Sequence, residues 1–460
     1  MRQDKKLLVI HLNEFNFDHL KYGAKKYNLK YLKEIIKYKK ISTFTKDKIQ
    51  NKNLDPWVQS VSINSGQPSS KHKVYKLGQK LSLNLLNIWD ILTKEKINCS
   101  VWGPMNSAYK KNKFLQLFFP DPWNYRVTPH PTKLKYIHYL PKYYAKNYLN
   151  VELPKMIKFS LYFLFGLLKN NLFFFLLKNI DLIIKSFFLK RIKNFTLFCL
   201  FDLISIFIFT KNIKYKKKQF SFIFLNSLAH YQHNNWNEKN NEKLYFIYVD
   251  RICEYINILY KKHDSLIIFN GFKQKKIKTE YLLRPINPKN FLSKIIQFDK
   301  LEQDMTNGGY IFFNKFINTK KAFNLLKNYT VCGFYIFQVS QKKKNSFFYR
   351  INIKSLENIK LKKNRNMIKN LSKIFRYDTI IKNNFIKNTS NNDEEIMNFL
   401  EDIYFIKTTG IHTHQGDLLY ENIDIKNKDK NIINHKIFGY IKNYFFKKKY
   451  ESNIFTSTSR

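Results

Sequence analysis

The sequence has little glycine, proline or cysteine. Its 460 residues include 12 glycines and 11 prolines, which are too few for long flexible linkers. The four cysteines are spread along the chain without a Cys-x-x-Cys pair, a pattern that predicts buried thiols in a reducing compartment rather than a disulfide framework. Residues 1–6 lead into an apolar stretch that lacks the hydrophobic core and cleavage site of a signal peptide, so we expect a cytoplasmic protein.

Acidic residues are scarce as well. The chain has 33 Asp and Glu residues against 82 Lys and Arg residues, which gives a formal net charge of +49. A charge of this size attracts polyanions. The lysines are spread over the whole chain, however, and form no recognisable nucleic-acid-binding module. We therefore expect no specific nucleic-acid partner, and we expect the charge to favour an anionic membrane surface or an acidic glycan instead.

Core-forming residues, in contrast, are abundant. Aromatic residues make up 17% of the chain, with 43 phenylalanines, and this content excludes a disordered protein. Short apolar runs alternate with helical patterns. The predicted strands are residues 7–12, 97–102, 221–225 and 265–269, and the predicted helices include residues 18–39, 87–94 and 243–261. This order predicts a three-layer α/β/α fold with a mostly parallel central sheet.

The segment 151–215 differs in composition from its surroundings. Phe, Leu and Ile dominate it, and its cleanest apolar run, residues 195–210, is shorter than the roughly 20 residues that a spanning helix needs. We predict two or three amphipathic helices inserted into the core fold. They form a cap over the sheet, a surface that rests on a membrane or admits a lipid-linked substrate, or a transmembrane hairpin. The core then occupies residues 1–150 and, with a C-terminal part, residues 216–460.

Polar residues cluster in four places near the ends of predicted strands, where open α/β sheets build their binding sites. Asn13-Glu14 follows the first strand, and Asp55 is the predicted N-cap of a helix that ends at Gly66. The other two clusters are residues 224–233, which include one asparagine and two histidines, and residues 408–416, which include two histidines.

Taken in this order, the four clusters resemble the alkaline phosphatase superfamily, especially its phosphodiesterase, nucleotide pyrophosphatase and sulfatase-like branches. Those enzymes carry an acidic residue after the first strand, a Thr or Ser nucleophile at a helix start, an Asp and a His four residues apart, an Asp-His-Gly, and a last His near the C-terminus. Asn226 and His230 match the Asp/His pair in spacing, and His412 matches the last His. The resemblance covers residues 5–130, 220–272 and 405–420.

The departures from the family pattern fall on residues that carry the chemistry. Asn226 stands where the family has Asp, and Phe269-Asn270 stands where it has Asp-His, which removes two ligands of one metal site. At the helix start the chain offers Asp55, and the nearest hydroxyls are those of Ser60 and Ser62. Phe cannot bind a metal ion, and a neutral Asn binds one more weakly than a carboxylate does.

The resemblance implies that a half-site for one divalent ion, zinc or manganese, is left. Two imidazoles and an oxygen ligand can hold such an ion and leave one position open. Successive strand residues point in opposite directions, so we expect only one of Asn13 and Glu14 to face the site. The predicted ligands are Asn13 or Glu14, Asn226, His230 and His412, with His233 or His414 as additions.

Two functions follow from this set. The leading hypothesis is a metal-dependent hydrolase or transferase of phosphate or sulfate esters of a glycan, nucleotide-sugar or lipid-linked head group, with Asp55 or Ser60 as nucleophile or base. The alternative is a catalytically inactive relative that binds an anionic ligand or a partner protein. Each residue also has a simpler interpretation, such as a helix cap for Asp55 or a packed or surface histidine for His230. The sequence leaves the oligomeric state open.

Overall fold

The computed structural model describes residues 5–47, 54–79, 84–149, 151–188, 194–303, 307–331, 334–352, 399, 401–425 and 431–454. The chain forms two compact units: residues 1–278 with 409–460, and residues 279–408. The sequence-based division keeps residues 216–460 together, whereas the structure gives residues 279–408 a compact unit of their own. The chain therefore leaves the first unit after residue 278 and returns to it at residue 409.

The described residues form sixteen strands over the two units. The strands of the described residues are β1 (Lys5–Leu12), β2 (Lys39–Phe44), β3 (Asn98–Trp102), β4 (Leu115–Phe119), β5 (Lys218–Leu225), β6 (Ser265–Phe269), β7 (Gln274–Pro285), β8 (Lys300–Gln303), β9 (Gly308–Phe312), β10 (Thr330–Val331), β11 (Phe334–Tyr335), β12 (Phe337–Lys343), β13 (Ser346–Ile351), β14 (Ile403–His412), β15 (Gln415–Glu421) and β16 (Asn431–Ile433).

The α-helices of the described residues are more numerous in the first unit. They are α1 (Phe17–Lys26), α2 (Lys30–Ile35), α3 (Pro56–Ser65), α4 (Ser69–His72), α5 (Ile88–Lys94), α6 (Lys135–Asn147), α7 (Leu153–Lys169), α8 (Leu172–Phe188), α9 (Asn194–Asn212), α10 (Ser227–Asn234), α11 (Lys239–Tyr260), α12 (Pro288–Ser293), α13 (Phe316–Asn328) and α14 (Ile437–Ile454).

Eight strands of the first unit form one sheet, in the order β16, β2, β15, β6, β1, β5, β3, β4. β1 pairs in parallel with β5 and β6, β3 pairs in parallel with β4 and β5, and β16 pairs in parallel with β2. β15 is antiparallel to both of its neighbours, β2 and β6. Seven strands therefore run in one direction and β15 runs in the other, which confirms the predicted mostly parallel sheet.

The central strand β1 shows how the sheet is buried on both faces, as parallel sheets are. Leu8, Ile10 and Leu12 pack with α1, α2, α9 and α11 on one face. Leu7 and Val9 pack with α3, α5 and α14 on the other. All five side chains are at most 2% exposed. One apolar run thus contributes to the cores of both helix layers, and the predicted three-layer α/β/α class is confirmed.

Local signals set some helix boundaries well and others poorly. Helix α3 has Asp55 as its N-cap residue and ends at Gly66, whose φ of 69° suits a residue without Cβ. The helical pattern predicted over residues 18–39 corresponds to two separate helices, α1 and α2, and it extends too far, because β2 begins at Lys39. Between the two helices Asn28 has a φ of 53°, a left-handed conformation that Asn tolerates and that stops a right-handed helix.

Three helices, α7, α8 and α9, occupy most of the segment 151–215, in agreement with the two or three helices predicted there. Among the described residues, α9 is long and apolar enough to cross a membrane, and the bent pair of α7 and α8 would be a second candidate if counted as one span. More than half of α9 is buried within the first unit. Its residues Phe195, Cys199 and Leu203 belong to the main core, so α9 is a core helix.

The second unit has a sheet and a core of its own. Strands β12, β13, β9 and β8 form an antiparallel sheet in that order. Helix α13 packs against β12 and β13. Ile311, Phe347 and Tyr349 are fully buried in the resulting core.

Candidate metal centre

The carboxyl ends of β1, β5 and β6 meet the amino end of β15 at one edge of the large sheet. Because β15 runs against its neighbours, the residues that precede it reach the same edge as the residues that follow the parallel strands. Glu14 follows β1, helix α10 with His233 follows β5, and His412 closes β14 shortly before β15. This is the edge at which open α/β sheets place their sites.

Glu14 is the buried anion of this edge. Its side chain is 1% exposed, and its backbone has a φ of 55°, which is uncommon for a residue that carries a side chain. The Asn13 side chain donates to Glu14 Oε1 over 3.1 Å. Only one of these two residues was expected to face the site. Of the two, Glu14 lies close enough to two imidazoles to share an ion with them, whereas Asn13 binds Glu14 and Asn226.

Three side chains converge here, which we call the carboxylate–imidazole cluster: Glu14, His233 and His412. Glu14 Oε2 lies 2.9 Å from His233 Nε2 and 3.0 Å from His412 Nε2, and the two ring nitrogens are 3.3 Å apart. The side chains of His233 and His412 remain 33% and 18% exposed, whereas that of Glu14 is 1% exposed. The cluster is therefore anchored on a buried carboxylate and reachable from solvent through its imidazoles.

Hydrogen bonds fix the orientation of the carboxylate and of one imidazole. The Gln274 side chain donates to Glu14 Oε2 over 2.5 Å. His412 Nδ1 donates to the carbonyl of Leu54 over 2.5 Å. Because a carbonyl can only accept, the hydrogen of a neutral His412 sits on Nδ1, and the lone pair on Nε2 is directed at the cluster. Such a partner on the far nitrogen is usual for metal-binding histidines.

A buried threonine brings His233 and His412 together. Thr409 Oγ1 donates to the carbonyl of Gln232 over 2.8 Å and accepts from the backbone N–H of Trp236 over 3.0 Å. Thr409 is fully buried and lies in β14, three residues before His412. It thereby ties β14 to the C-terminal end of α10, where His233 lies.

The charges of the cluster depend on one another. Burial alone would raise the pKa of Glu14, but His412 and His233 beside it bring that pKa well below its usual range. Burial likewise would lower the pKa of His412, but the Glu14 carboxylate outweighs this effect and raises it. Glu14 is therefore ionised, and it attracts positive charge to the position between the two imidazoles.

A divalent metal ion fits this donor set. A carboxylate and two imidazoles are a common ligand set for a catalytic zinc ion and leave a further position open. The three ligand atoms lie 2.9 to 3.3 Å from one another, a triangle whose corners can all reach one ion at about 2.0–2.2 Å. Within the described residues, this is the group of His, Cys, Asp and Glu side chains close enough to share an ion.

A second set of side chains, which we call the amide network, adjoins the cluster: Asn13, Asn226 and His230. Asn13 Nδ2 donates to Asn226 Oδ1 over 2.7 Å, and Asn226 Nδ2 lies 3.2 Å from His230 Nε2. Since Asn226 Oδ1 already accepts, its amide nitrogen donates to His230. Burial lowers the pKa of His230 to about 3, so the network is neutral. His230 and Asn226, both predicted metal ligands, here bind each other.

The inserted helix α9 contacts this network directly. The ring of Phe198 stacks on that of His230 with 3.4 Å between centroids. Asp202 accepts from the backbone N–H groups of Asn226 and Ser227 over 2.9 and 2.7 Å. A carboxylate at this place caps the first turn of α10 and favours its dipole. The segment 151–215 thus helps to position the helix that carries His233.

The two predicted catalytic residues lie in different environments. Asp55 is the N-cap residue of α3, although its side chain makes no capping hydrogen bond. It lies near enough to His412 to contribute to the raised pKa of that histidine. Ser60 is fully buried within α3, where its Oγ accepts from the Asn64 side chain over 3.3 Å. Burial of the hydroxyl argues against Ser60 as a nucleophile, because a substrate cannot reach it.

Phe269 and Asn270, which stand where the resembled family has Asp-His, have structural roles. Phe269 is buried in the core at the end of β6. Asn270 donates to the carbonyl of Phe15 over 2.7 Å and accepts from the N–H of Asp417 over 2.9 Å, joining the ends of β6, β1 and β15. Phe272 is fully buried and packs against the His412 ring at 4.6 Å. His414 is exposed, so of the two added candidates only His233 joins the cluster.

Comparison with solved structures finds several similar folds at low sequence identity. Murine ectonucleotide pyrophosphatase/phosphodiesterase 5 is 9% identical, with a TM-score of 0.45 over 96% of this chain and 95% of that chain. Phosphonoacetate hydrolase from Sinorhizobium meliloti 1021 is 9% identical, with a TM-score of 0.41 over 96% of each chain. Thermus thermophilus alkaline phosphatase is 9% identical, with a TM-score of 0.41 over 96% and 91%. No family model and no curated protein sequence matches the chain.

Proposed function

We propose that the chain is a metal-dependent hydrolase or transferase of phosphate or sulfate esters. The observation that carries this proposal is the convergence of Glu14, His233 and His412 at ligand spacing, on a solvent-reachable edge of the sheet. We assign these three residues as ligands of one divalent ion, zinc or manganese. His233 takes the place that the sequence resemblance gives to His230.

The ion and the residues around it would have different roles in the reaction. A bound divalent ion would supply a Lewis acid that polarises the ester and lowers the pKa of water. Gln274 and Asn13 hold the two oxygens of Glu14 in place. Asp55, at the positive end of α3 and near His412, is the group that we assign as nucleophile or general base.

The substrate would be a small anionic ester, such as that of a glycan, a nucleotide-sugar or a lipid-linked head group. The excess of 82 basic over 33 acidic residues attracts such anions. We also propose a cytoplasmic location. Cys99, Cys199 and Cys253 are buried free thiols, as expected of a protein in a reducing compartment.

Hydrolysis of generic esters tests the proposal. Purified protein loaded with zinc or manganese is assayed on p-nitrophenyl phosphate, bis-p-nitrophenyl phosphate and p-nitrophenyl sulfate, with and without chelator. We expect turnover of at least one ester that chelator abolishes and that His412→Ala reduces by two orders of magnitude or more. His414→Ala is the matched control, since this exposed histidine lies two residues away, and it should retain full activity. Turnover that survives both chelator and His412→Ala would contradict the proposal.

The second candidate is a non-catalytic protein that binds an anionic ligand or a partner. It is favoured by the amide network, in which Asn226 is engaged by Asn13 and His230, and by the structural role of Asn270. Metal-loaded protein that binds inorganic phosphate or sulfate in a calorimetric titration, but hydrolyses none of the three esters, would support this candidate over the first.

A further inference from the structure

The outward face of α7 is apolar along its whole length. Six large hydrophobic side chains of this helix are between 43% and 70% exposed: Leu153, Ile157, Leu161, Leu164, Phe165 and Leu168. Their spacing of three, four, seven and eight residues places them on one face of the helix. Isolated exposed hydrophobic residues are normal on a protein surface, but a continuous stripe marks an interaction site.

The inward face of α7 is already used for packing. A Cβ on Gly166 would lie 2.7 Å from the Ile137 side chain, so α6 and α7 are in close contact at this glycine. Tyr143 of α6 also packs against Phe159 with 4.9 Å between ring centroids. The exposed stripe is therefore an additional apolar surface that is left after the helix has docked.

Helix α8 repeats this arrangement. Its inward face is fixed on α11, where the Asn179 side chain donates to Tyr255 Oη over 2.9 Å and Leu182 is fully buried. On its outward face, six hydrophobic side chains are between 40% and 66% exposed: Phe173, Phe174, Leu176, Leu177, Ile180 and Ile184. The two helices together thus present twelve exposed hydrophobic side chains.

Basic residues accompany both stripes. Residues 153–188 contain five lysines and one acidic residue, Asp181, and the Asp181 carboxylate is paired with Arg251 at 3.2 Å. Lys169 lies over the ring of Phe165 at 4.4 Å and Lys178 over that of Tyr255 at 4.4 Å. Apolar stripes bordered by lysine are typical of helices that lie in the interface of an anionic bilayer.

We propose that the outward faces of α7 and α8 rest on the surface of an anionic lipid bilayer. The charge of the chain, +49, complements such a surface. Each helix has 17 residues, and their axes are bent by 102° at Asn170 and Asn171, a geometry suited to lying in the interface rather than to crossing it.

Vesicle flotation with the full-length protein tests this surface. The wild-type chain should float with vesicles of phosphatidylcholine and phosphatidylglycerol, and far less with phosphatidylcholine alone. In the variant Leu161→Glu/Leu177→Glu, which replaces one exposed leucine on each helix, we expect partition into the anionic vesicles to fall by about tenfold or more, because two leucines no longer enter the apolar layer.

The matched control is Ile317→Glu/Leu325→Glu on α13. Both side chains are 57% exposed, and the double substitution changes the net charge by the same amount, so it should leave flotation unchanged. Equal flotation of the two double variants would overturn the proposal, and so would a wild-type chain that does not float with anionic vesicles. A dimer that Leu161→Glu/Leu177→Glu dissociates, without any vesicle binding, would also overturn it, in favour of a second copy of the chain.

Discussion

The carboxylate–imidazole cluster and the amide network are neighbours, yet they differ in charge balance. In the network each partner is neutral, and donors meet acceptors: Asn13 donates to Asn226, which in turn donates to His230. In the cluster an ionised carboxylate has two imidazole nitrogens within 3.0 Å. A buried anion of this kind requires protons or a cation beside it. Similar residue types, a few positions apart, therefore form a neutral hydrogen-bonded network in one place and a charged group suited to an ion in the other.

The largest expected effect on zinc affinity comes from removing the charge of the Glu14 carboxylate. Glu14→Gln keeps the shape of the side chain but takes away its charge, so zinc affinity should fall by more than the 10–100-fold that is typical when a partner of a ligand is lost. Equilibrium dialysis with zinc measures this directly. Unchanged affinity would show that the cluster is not the metal site.

The next largest effect is expected on the stability of the protein, when the carboxylate that caps α10, the helix that carries His233, is removed. Asp202→Ala leaves the buried N–H groups of Asn226 and Ser227 without their acceptor, which should lower the free energy of unfolding by about 1–3 kcal/mol. Urea unfolding measures it. Asp181→Ala is the control, because this carboxylate is 43% exposed and paired on the surface, and its loss should cost about 0.5 kcal/mol or less. Equal destabilisation by the two variants would argue against the capping role.

The affinity of the carboxylate–imidazole cluster for a metal ion should also depend on pH. Glu14 raises the pKa of His412, so below that pKa the ion must displace a proton from His412 Nε2. Apparent zinc affinity should therefore fall as the pH is lowered, by about tenfold per pH unit for one displaced proton. Calorimetric titrations in two buffers of different ionisation enthalpy count the protons released. No proton release between about pH 5.5 and 8 would contradict a histidine ligand.

The smallest effect on metal binding is expected in the amide network. Asn226→Ala removes a neutral partner that lies outside the cluster, so zinc affinity should change by less than about tenfold. The same dialysis experiment measures it. A loss as large as that of Glu14→Gln would restore Asn226 to the ligand role that the sequence resemblance gives it.

Much of the fold could be predicted because its signals are local. The apolar runs at β1 and β6, and the cap and glycine that bound α3, lie within a few residues of one another. Four strands of the large sheet, β2, β4, β15 and β16, were missed. The predicted helical pattern ran into the first residue of β2, Lys39, and β15 has only Leu418 and Leu419 as an apolar signal. The antiparallel placement of β15 between β2 and β6 depends on pairing with distant segments, which no local pattern records.

The site was predicted less completely than the fold. The edge of the sheet, Glu14 and His412 follow from strand ends and motif order. The choice between His230 and His233 could not be made from these signals, because residues three apart share one side of a helix. The contacts of Thr409 with α10 are what bring His233 to the cluster. Gln274 carries no sequence signal, since its contact with Glu14 joins residues 260 positions apart.

The assignment of His233 as a metal ligand is tested most directly by comparing two histidines of helix α10 in one measurement. Metal content is determined by elemental mass spectrometry on the wild-type chain, His233→Ala and His230→Ala, each incubated with zinc and then desalted. If Glu14, His233 and His412 hold the ion, we expect about one ion per chain in the wild type and in His230→Ala, and almost none in His233→Ala. Loss of the ion in His230→Ala with retention in His233→Ala would contradict this assignment.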